Sequence, residues 1–577
     1  MNKKTLFGMI ALLSVSLLFF GCSTEASDSG TESSPTWPVS PTTPGGTPSI
    51  SKGEAASRLA AALGTGAASA SADGTVILLA STPINGPIEI PTGVVLSVPA
   101  SLTLTVASGP DLTNNGTLSV EGGLTVSAGL FTNDGTVYLN PPSSGTTSLP
   151  AGLTNNGILT VAAGDTLAVT GAVINTGTIT AEGTITATGT FDNKGTGTIT
   201  VVATTGAVTP SGLLTNGGIL TLNEGISPAA GLTNSGTITL ATGETLAVTG
   251  AIGNSGTINA TGGTVTGSGL ITNDGTINAG TITGSAGITN TAYGDIVVGT
   301  LTITTAAITN SGDITVNGAS TGAVGLTNNP SGVITVTAAT PGSLAITGAI
   351  TNDGTINANG VVSSSASITN NGILNVNAAV TSATVLNNNP GATITVGPTT
   401  GVLTATAGGI ANQGTITVNG TVDADGSSGN IVHTGDGITI VNPGAVLETT
   451  LITIGDTSAK IKLAAGAVFS YDLDSYDVVA GTVTVYDALT LALSLNVAST
   501  LIVDDKVLTV NATITGSSGA VIQLIRTSTG SLAGTGVTAG NFYSSTGPTL
   551  ITAAISTAGS YVWTEDIIGT DDGWLQQ

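Results

Sequence analysis

The sequence predicts an all-β fold: a right-handed parallel β-helix, a solenoid of about 20 residues per coil, with a short N-terminal capping helix and a β-rich C-terminal region. Three observations carry this. First, a phrase of an apolar residue, usually a Thr, then Asn-x-Gly and an alternating strand returns sixteen times, anchored at Asn114, Asn133, Asn155, Asn175, Asn193, Asn216, Asn234, Asn254, Asn273, Asn290, Asn310, Asn328, Asn352, Asn370, Asn388 and Asn412. Second, the gaps run from 17 to 24 residues with no helical pattern between them, which excludes leucine-rich repeats and leaves short strands stacked coil on coil. Third, stretches such as Gly236-Thr237-Ile238-Thr239-Leu240 alternate, sending aliphatic side chains to one face and threonines to the other. The interior is aliphatic and the exterior is rich in Thr.

The elements follow in order. Residues 1–22 read as a secretory signal: Lys3 and Lys4 precede an apolar run from Leu6 to Phe20, and the single cysteine, Cys22, follows Gly21. This ending resembles a bacterial lipobox, which implies cleavage before Cys22 and lipidation of its thiol, although Phe19 and Phe20 stand where the commonest form has Leu and a small residue. Acyl chains contribute about 0.8 kcal/mol per buried methylene, so the expected partner is a membrane, through the lipid. The expected location is the cell envelope, at the outer membrane or cell surface. Residues 23–52 are Ser, Thr, Pro and Gly with scattered acids and predict a disordered, extended tether.

Residues 53–465 are assigned to the β-helix. Its opening, EAASRLAAAL from Glu54 to Leu63, is the one good helical stretch. A strand near Thr75–Ala80 follows, then Ile88-Glu89-Ile90-Pro91-Thr92-Gly93 and a strand over Val94–Val98. This order resembles the start of pectate-lyase-like β-helices, in which a helix covers the open end of the lumen, where apolar side chains and a strand edge are otherwise exposed. At each Asn-x-Gly corner, Asn and Gly are expected to supply left-handed backbone. Thirteen of the sixteen copies have Gly two residues after the Asn; those at Asn290, Asn328 and Asn388 delay it. Because Leu232 and Asn234 share a face, the asparagines are expected to point inward and form a structural ladder of amides.

Residues 466–577 are assigned to a β-rich cap or distal region. From residue 413 onward the chain holds 15 of its 33 acids and nine of its 17 aromatics, among them Phe469, Tyr471, Tyr476, Tyr561, Trp563 and Trp574. These suit a small aromatic core, or a contact surface if exposed.

Composition and charge narrow the function. The formal charge is −24, and about −26 without the first 21 residues, so nucleic acid is not an expected partner. Between Arg58 and Lys460 the only lysine or arginine is Lys194, which leaves little to pair with anionic glycans. A pectate-type lyase needs a basic residue to draw a proton, and the coils hold no Arg beyond Arg58. A glycosidase needs two carboxyl groups within about 5 to 9.5 Å. The closest pair in sequence here is Glu182 and Asp192, while the recurring Asp134, Asp274 and Asp353 fall several coils apart. His433 is the only histidine, so nucleophilic triads and His-rich metal sites are not expected. No cofactor and no enzymatic activity are expected. Asp423, Asp425 and Asp436, and likewise Asp472, Asp474 and Asp477, lack the full spacing of a calcium loop and read as solvated turns.

Two further resemblances bear on function. The pairs Thr178/Thr180, Thr184/Thr186, Thr198/Thr200, Thr237/Thr239 and Thr415/Thr417 are similar to the T-x-T rows of ice-binding solenoids, but Asn259, Asn278 and uneven gaps break the rows. The repeat array as a whole resembles the passenger regions of repeat-rich bacterial adhesins. Those commonly end in a translocating β-barrel; this chain ends at DDGWLQQ, and the lipid is expected to anchor it instead. The resemblance implies a lipid-anchored surface protein, structural or adhesin-like, with a host or matrix glycan or protein as ligand. A carbohydrate-binding or carbohydrate-cleaving protein of the same fold is the alternative, and an ice-binding lipoprotein the second.

Overall fold

A computed structural model describes residues 50–449 except 82, 108–110, 141–145, 203, 339–341 and 425–429; beyond 449 it describes the backbone of the strands, together with Ile461 and Lys462. Cys22, the signal segment and the tether lie outside the described residues. The unit Ser51–Gln577 is an all-β, right-handed parallel solenoid of about 18 turns, with one short helix at its N-terminal side.

Each regular coil is three short strands. In one, Ala349–Asn352, Thr355–Ala358 and Val361–Ser364 stack on Ile368–Asn370, Ile373–Val376 and Ala379–Ser382 of the next. Pairing is parallel and in register, with Ile350 beside Ile368, Ile356 beside Leu374 and Val362 beside Val380. Similar side chains therefore form columns. The inward columns are Ile, Leu, Val and Ala, almost all completely buried, and they make one continuous core. A lumen this narrow is filled by aliphatic side chains, which explains the scarcity of aromatics; Phe131 and Phe191 are the two buried exceptions among the described residues.

The three strands of a coil build three faces: an asparagine sheet ending at the repeated Asn, a broad sheet after the Asn-x-Gly corner, and a third sheet. The asparagine sheet has nineteen strands, from Ile88–Ile90 to Leu451–Ile454. At roughly 4.8 Å per step it runs for roughly 85 Å.

The helix, α1, spans Lys52–Leu63 and so begins two residues before the expected Glu54. Ser51 is the reason: its hydroxyl accepts a hydrogen bond from the Glu54 amide at 3.2 Å, the N-cap arrangement that fixes a helix start. Ala55, Ala56, Leu59 and Leu63 are buried and join the core, so α1 covers the first coil. Parallel pairing in the broad sheet continues in the backbone beyond residue 465, from Lys460–Leu463 to Thr482–Val485, Thr500–Asp504 and Val521–Ile525. The last strands, Tyr561–Ile568 and Asp571–Gln576, pair antiparallel. The side chains of the C-terminal aromatics lie outside the described residues.

Candidate functional site

The sixteen asparagines stand in one column. Each is at most 3 % exposed. From Asn114 to Asn388, the Nδ2 of every asparagine donates to the Oδ1 of the next at 2.6–2.9 Å, fifteen bonds without a break. The second amide hydrogen is also used. Asn234 Nδ2 donates to the Thr257 carbonyl at 3.1 Å, and Asn254 Nδ2 to that of Thr276 at 3.1 Å. The backbone carbonyl of each Asn in turn accepts from the next coil: both Asp134 N and Gly135 N donate to Asn114 O at 2.8 Å. A buried carboxamide is costly unless satisfied, and here almost all are.

The column has a direction and two ends. Every oxygen faces the preceding coil and every amino group the following one, so the side-chain dipoles add. At the start, Ile90 occupies the position before Asn114, and Asn114 Oδ1 has no partner among the described residues. At the other end the column runs into His433.

The glycines of the corners are explained by contact and not by left-handed backbone. No column asparagine has a positive φ, and of the corner glycines only Gly391 does. A Cβ on Gly135 would lie 2.1 Å from Gly116 O, and one on Gly157 2.0 Å from Gly135 O. At these glycines the corners stack so closely that a side chain is excluded. The same criterion adds Asn193 to the long corners: its Nδ2 donates to Gly197 O at 3.1 Å, so Gly197 and not Gly195 fills the tight position. Four corners therefore carry three residues in place of one: those after Asn193, Asn290, Asn328 and Asn388. Each closes with a turn, for example Gly332 N to Asn329 O at 2.8 Å. In the last, Ala392 stands where the others have Gly.

A second ladder, missed in the sequence, runs outside the first. At several coils the residue after the Asn bonds its counterpart one coil back, as in Asn156 to Asp134 at 2.7 Å, Thr176 to Asn156 at 2.6 Å and Asn371 to Asp353 at 2.5 Å, and at the first coil Asn115 reaches Glu89 at 2.8 Å. Thr291 bonds Asp274 in the same way. Its donors point toward the preceding coil, opposite to the inner column; the last contact, Gln413 to Thr434 at 3.0 Å, reverses this. The signal was present in the polar residues that recur at the x of Asn-x-Gly. Asp134, Asp274 and Asp353 are thus acceptors in this ladder.

The remaining acids are scattered. Asp192 pairs with Lys194 at the first long corner, whereas Glu182 sits at the corner after Thr178–Ala181. Asp423 turns outward on Thr421–Ala424 and Asp436 is exposed; Asp425, Asp472, Asp474 and the side chain of Asp477 lie outside the described residues. Among the described residues, no three acidic, His or Cys side chains converge as metal ligands. None of the described helices is long and apolar enough to cross a membrane. Asp165 is buried, and burial pushes its carboxyl up to about 6. Burial also raises Asp295, helped by the charge of Asp313, its neighbour one coil on.

One exterior concavity lies where two corners are short. Strands Thr257–Gly267, Thr276–Gly284 and Asp295–Ile303 run straight from the broad sheet into the third sheet. The corners at Gly280 and Gly299 shrink to a single glycine, against the longer corner at 261–263. The result is an open notch of about 290 Å³ lined by Thr261, Asn278, Val297 and Asn317 over a floor of Gly262, Gly280 and Gly299.

The threonine rows are short. Thr178/Thr180 stacks on Thr198/Thr200, but the next coil has Ile219. The longest run of pairs is Thr264/Thr266, Thr281/Thr283 and Thr300/Thr302, three coils on the third face.

Neither a protein-family model nor a curated protein matches this chain.

Proposed function

We propose that the chain is a lipid-anchored cell-surface β-helix with a structural or adhesin-like role and no catalytic one, its partner a host or matrix protein or glycan. The observation that supports this most is the unbroken asparagine column. Sixteen buried carboxamides bonded to each other and to the backbone hold shape, and they offer nothing to a ligand. Recognition then falls to residues that project, and the four long corners project from one edge. Tyr293, at the corner after Asn290, is 85 % exposed. An aromatic side chain that far into solvent stabilises nothing in the coil and supplies a contact.

Attachment rests on the sequence around Cys22. Labelling with radioactive palmitate should mark the native chain and fail to mark Cys22→Ala; equal labelling would remove the anchor from the account. Added protease should cut the protein on intact cells, and a chain left whole would contradict surface display. For the ligand, binding to immobilised matrix proteins and to a glycan array should fall at least fivefold in Tyr293→Ala.

A second reading, glycan binding by the notch, is favoured by Asn278. Its carboxamide makes no hydrogen bond to the described residues, and Val297 beside it offers an apolar surface. The neighbouring Asp295 and Asp313 disfavour an anionic sugar there. Array binding that Asn278→Ala abolishes and Tyr293→Ala spares would establish this reading in place of the first.

A further inference from the structure

The asparagine column ends on the chain's single histidine. His433 pairs in register with Asn412 on one side and with Ile454 on the other, and so holds the seventeenth position of the column. It is completely buried. Its Nε2 lies 2.8 Å from Thr439 Oγ1, a hydroxyl that also accepts from Asn412 Nδ2 at 3.4 Å. Its Nδ1 has no partner among the described residues.

The direction of the column decides what this position tolerates. Each carboxamide turns its amino group toward the following coil, so the column brings the positive end of its summed dipole to His433, while the last amino group, Asn412 Nδ2, donates to the Ile438 carbonyl at 3.0 Å and to Thr439 Oγ1 at 3.4 Å. A neutral imidazole fits, because its Nε2 can accept from the Thr439 hydroxyl, which in turn accepts from Asn412. An imidazolium is a donor at both nitrogens and would bury a charge at the positive end of that dipole, with no acceptor at Nδ1 among the described residues. Among the described residues nothing nearby compensates. The strands packed against it, Ile410–Asn412, Ile438–Val441 and Leu451–Ile454, contain no ionisable residue, and neither does the rest of its own strand, Asn430–Val432. In the following corner Asp436 is exposed, and Asp423, Glu448 and Lys462 on the broad and third faces turn outward.

We propose that His433 is an acid-sensitive latch: its protonation uncouples the coils beyond Asn412 from the asparagine column and opens that end of the β-helix while the asparagine coils stay closed. Burial pushes the imidazole down from its ordinary 6.5 to about 4. A basic group whose folded pKa is depressed stabilises fully above the unfolded value, and that stability is lost as pH falls toward the folded one. The window is therefore pH 6.5 to 4. Between pH 7 and pH 4.5 the opening equilibrium rises by up to about 60-fold.

Amide hydrogen exchange of the full chain, corrected for intrinsic rates and followed at pH 7, 5.5 and 4.5, tests this. Peptides from 431 to 447 should lose protection by tens of fold on acidification, while those from 350 to 376 hold theirs. His433→Asn installs the residue that sixteen coils carry, and His433→Ile installs the one found beside the column at Ile90 and Ile454. Either variant should keep its protection at pH 4.5. Unchanged protection in the native chain at pH 4.5, or equal loss in native and variant chains, overturns the latch.

Discussion

At the scale of single residues, the corner glycines and the buried acids are the most exposed to test. Gly135 faces the Gly116 carbonyl with no room for a methyl group, whereas a Cβ on Gly86 meets nothing within 4 Å. Gly135→Ala is expected to cost about 3 kcal/mol or more through forced separation of two coils, and Gly86→Ala close to nothing, read as urea midpoints. Asp165 gives a signed dependence on pH. Its carboxyl is raised in the folded state, so the folded chain holds the proton more tightly and stability falls as pH rises from 3.8 through about 6. Asp165→Asn should therefore be more stable than the native chain at pH 7.5 and indistinguishable from it at pH 3.5, compared by thermal unfolding. Period-2 alternation alone places the asparagines on the inward face, beside Leu232 and its equivalents. The role of the glycines was not legible, because a left-handed φ and a close approach both select Gly, and only the neighbouring coil distinguishes them. Gly195 and Gly197 show the same limit: both look like the corner glycine until the Asn193 bond is seen.

At the scale of elements, α1 closes the lumen. Leu59 and Ala56 are buried against the first coil, and the side chains beneath them, such as Ile88 and Ile90, are fully enclosed. Leu59→Asp places a charge there and should release the cap, raising exchange in 75–98 while leaving 350–376 unaffected, since each coil contacts only its neighbours. Ser51→Ala should cost about 1 kcal/mol at the same end. The helix was legible from its alanines, but its start was not, because Ser51 lies in a run of Ser, Thr and Pro that reads as linker. The outer ladder was also missed: Asp134, Asp274 and Asp353 look like free acids until the donors one coil on, Asn156, Thr291 and Asn371, are placed beside them. The notch was beyond reach for a different reason. It arises from corner shortening at Gly280 and Gly299, and residue counts within a coil do not reveal which corner has shrunk.

At the scale of the whole molecule, the regular period and the in-register columns make the coils interchangeable, and the column binds them into one object. That claim separates a scaffold from a binding code. Asn254 lies mid-column; removing its carboxamide deprives Asn273 Oδ1 of its donor and Asn234 Nδ2 of an acceptor. Asn156, in the outer ladder, is exposed, and its loss leaves its partners in water. The most direct measurement is the urea midpoint of Asn254→Leu beside that of Asn156→Ala in the full chain. A loss of about 2–4 kcal/mol is expected for Asn254→Leu and less than about 0.5 kcal/mol for Asn156→Ala; equal midpoints for the two variants would show that the column does not hold the coils together.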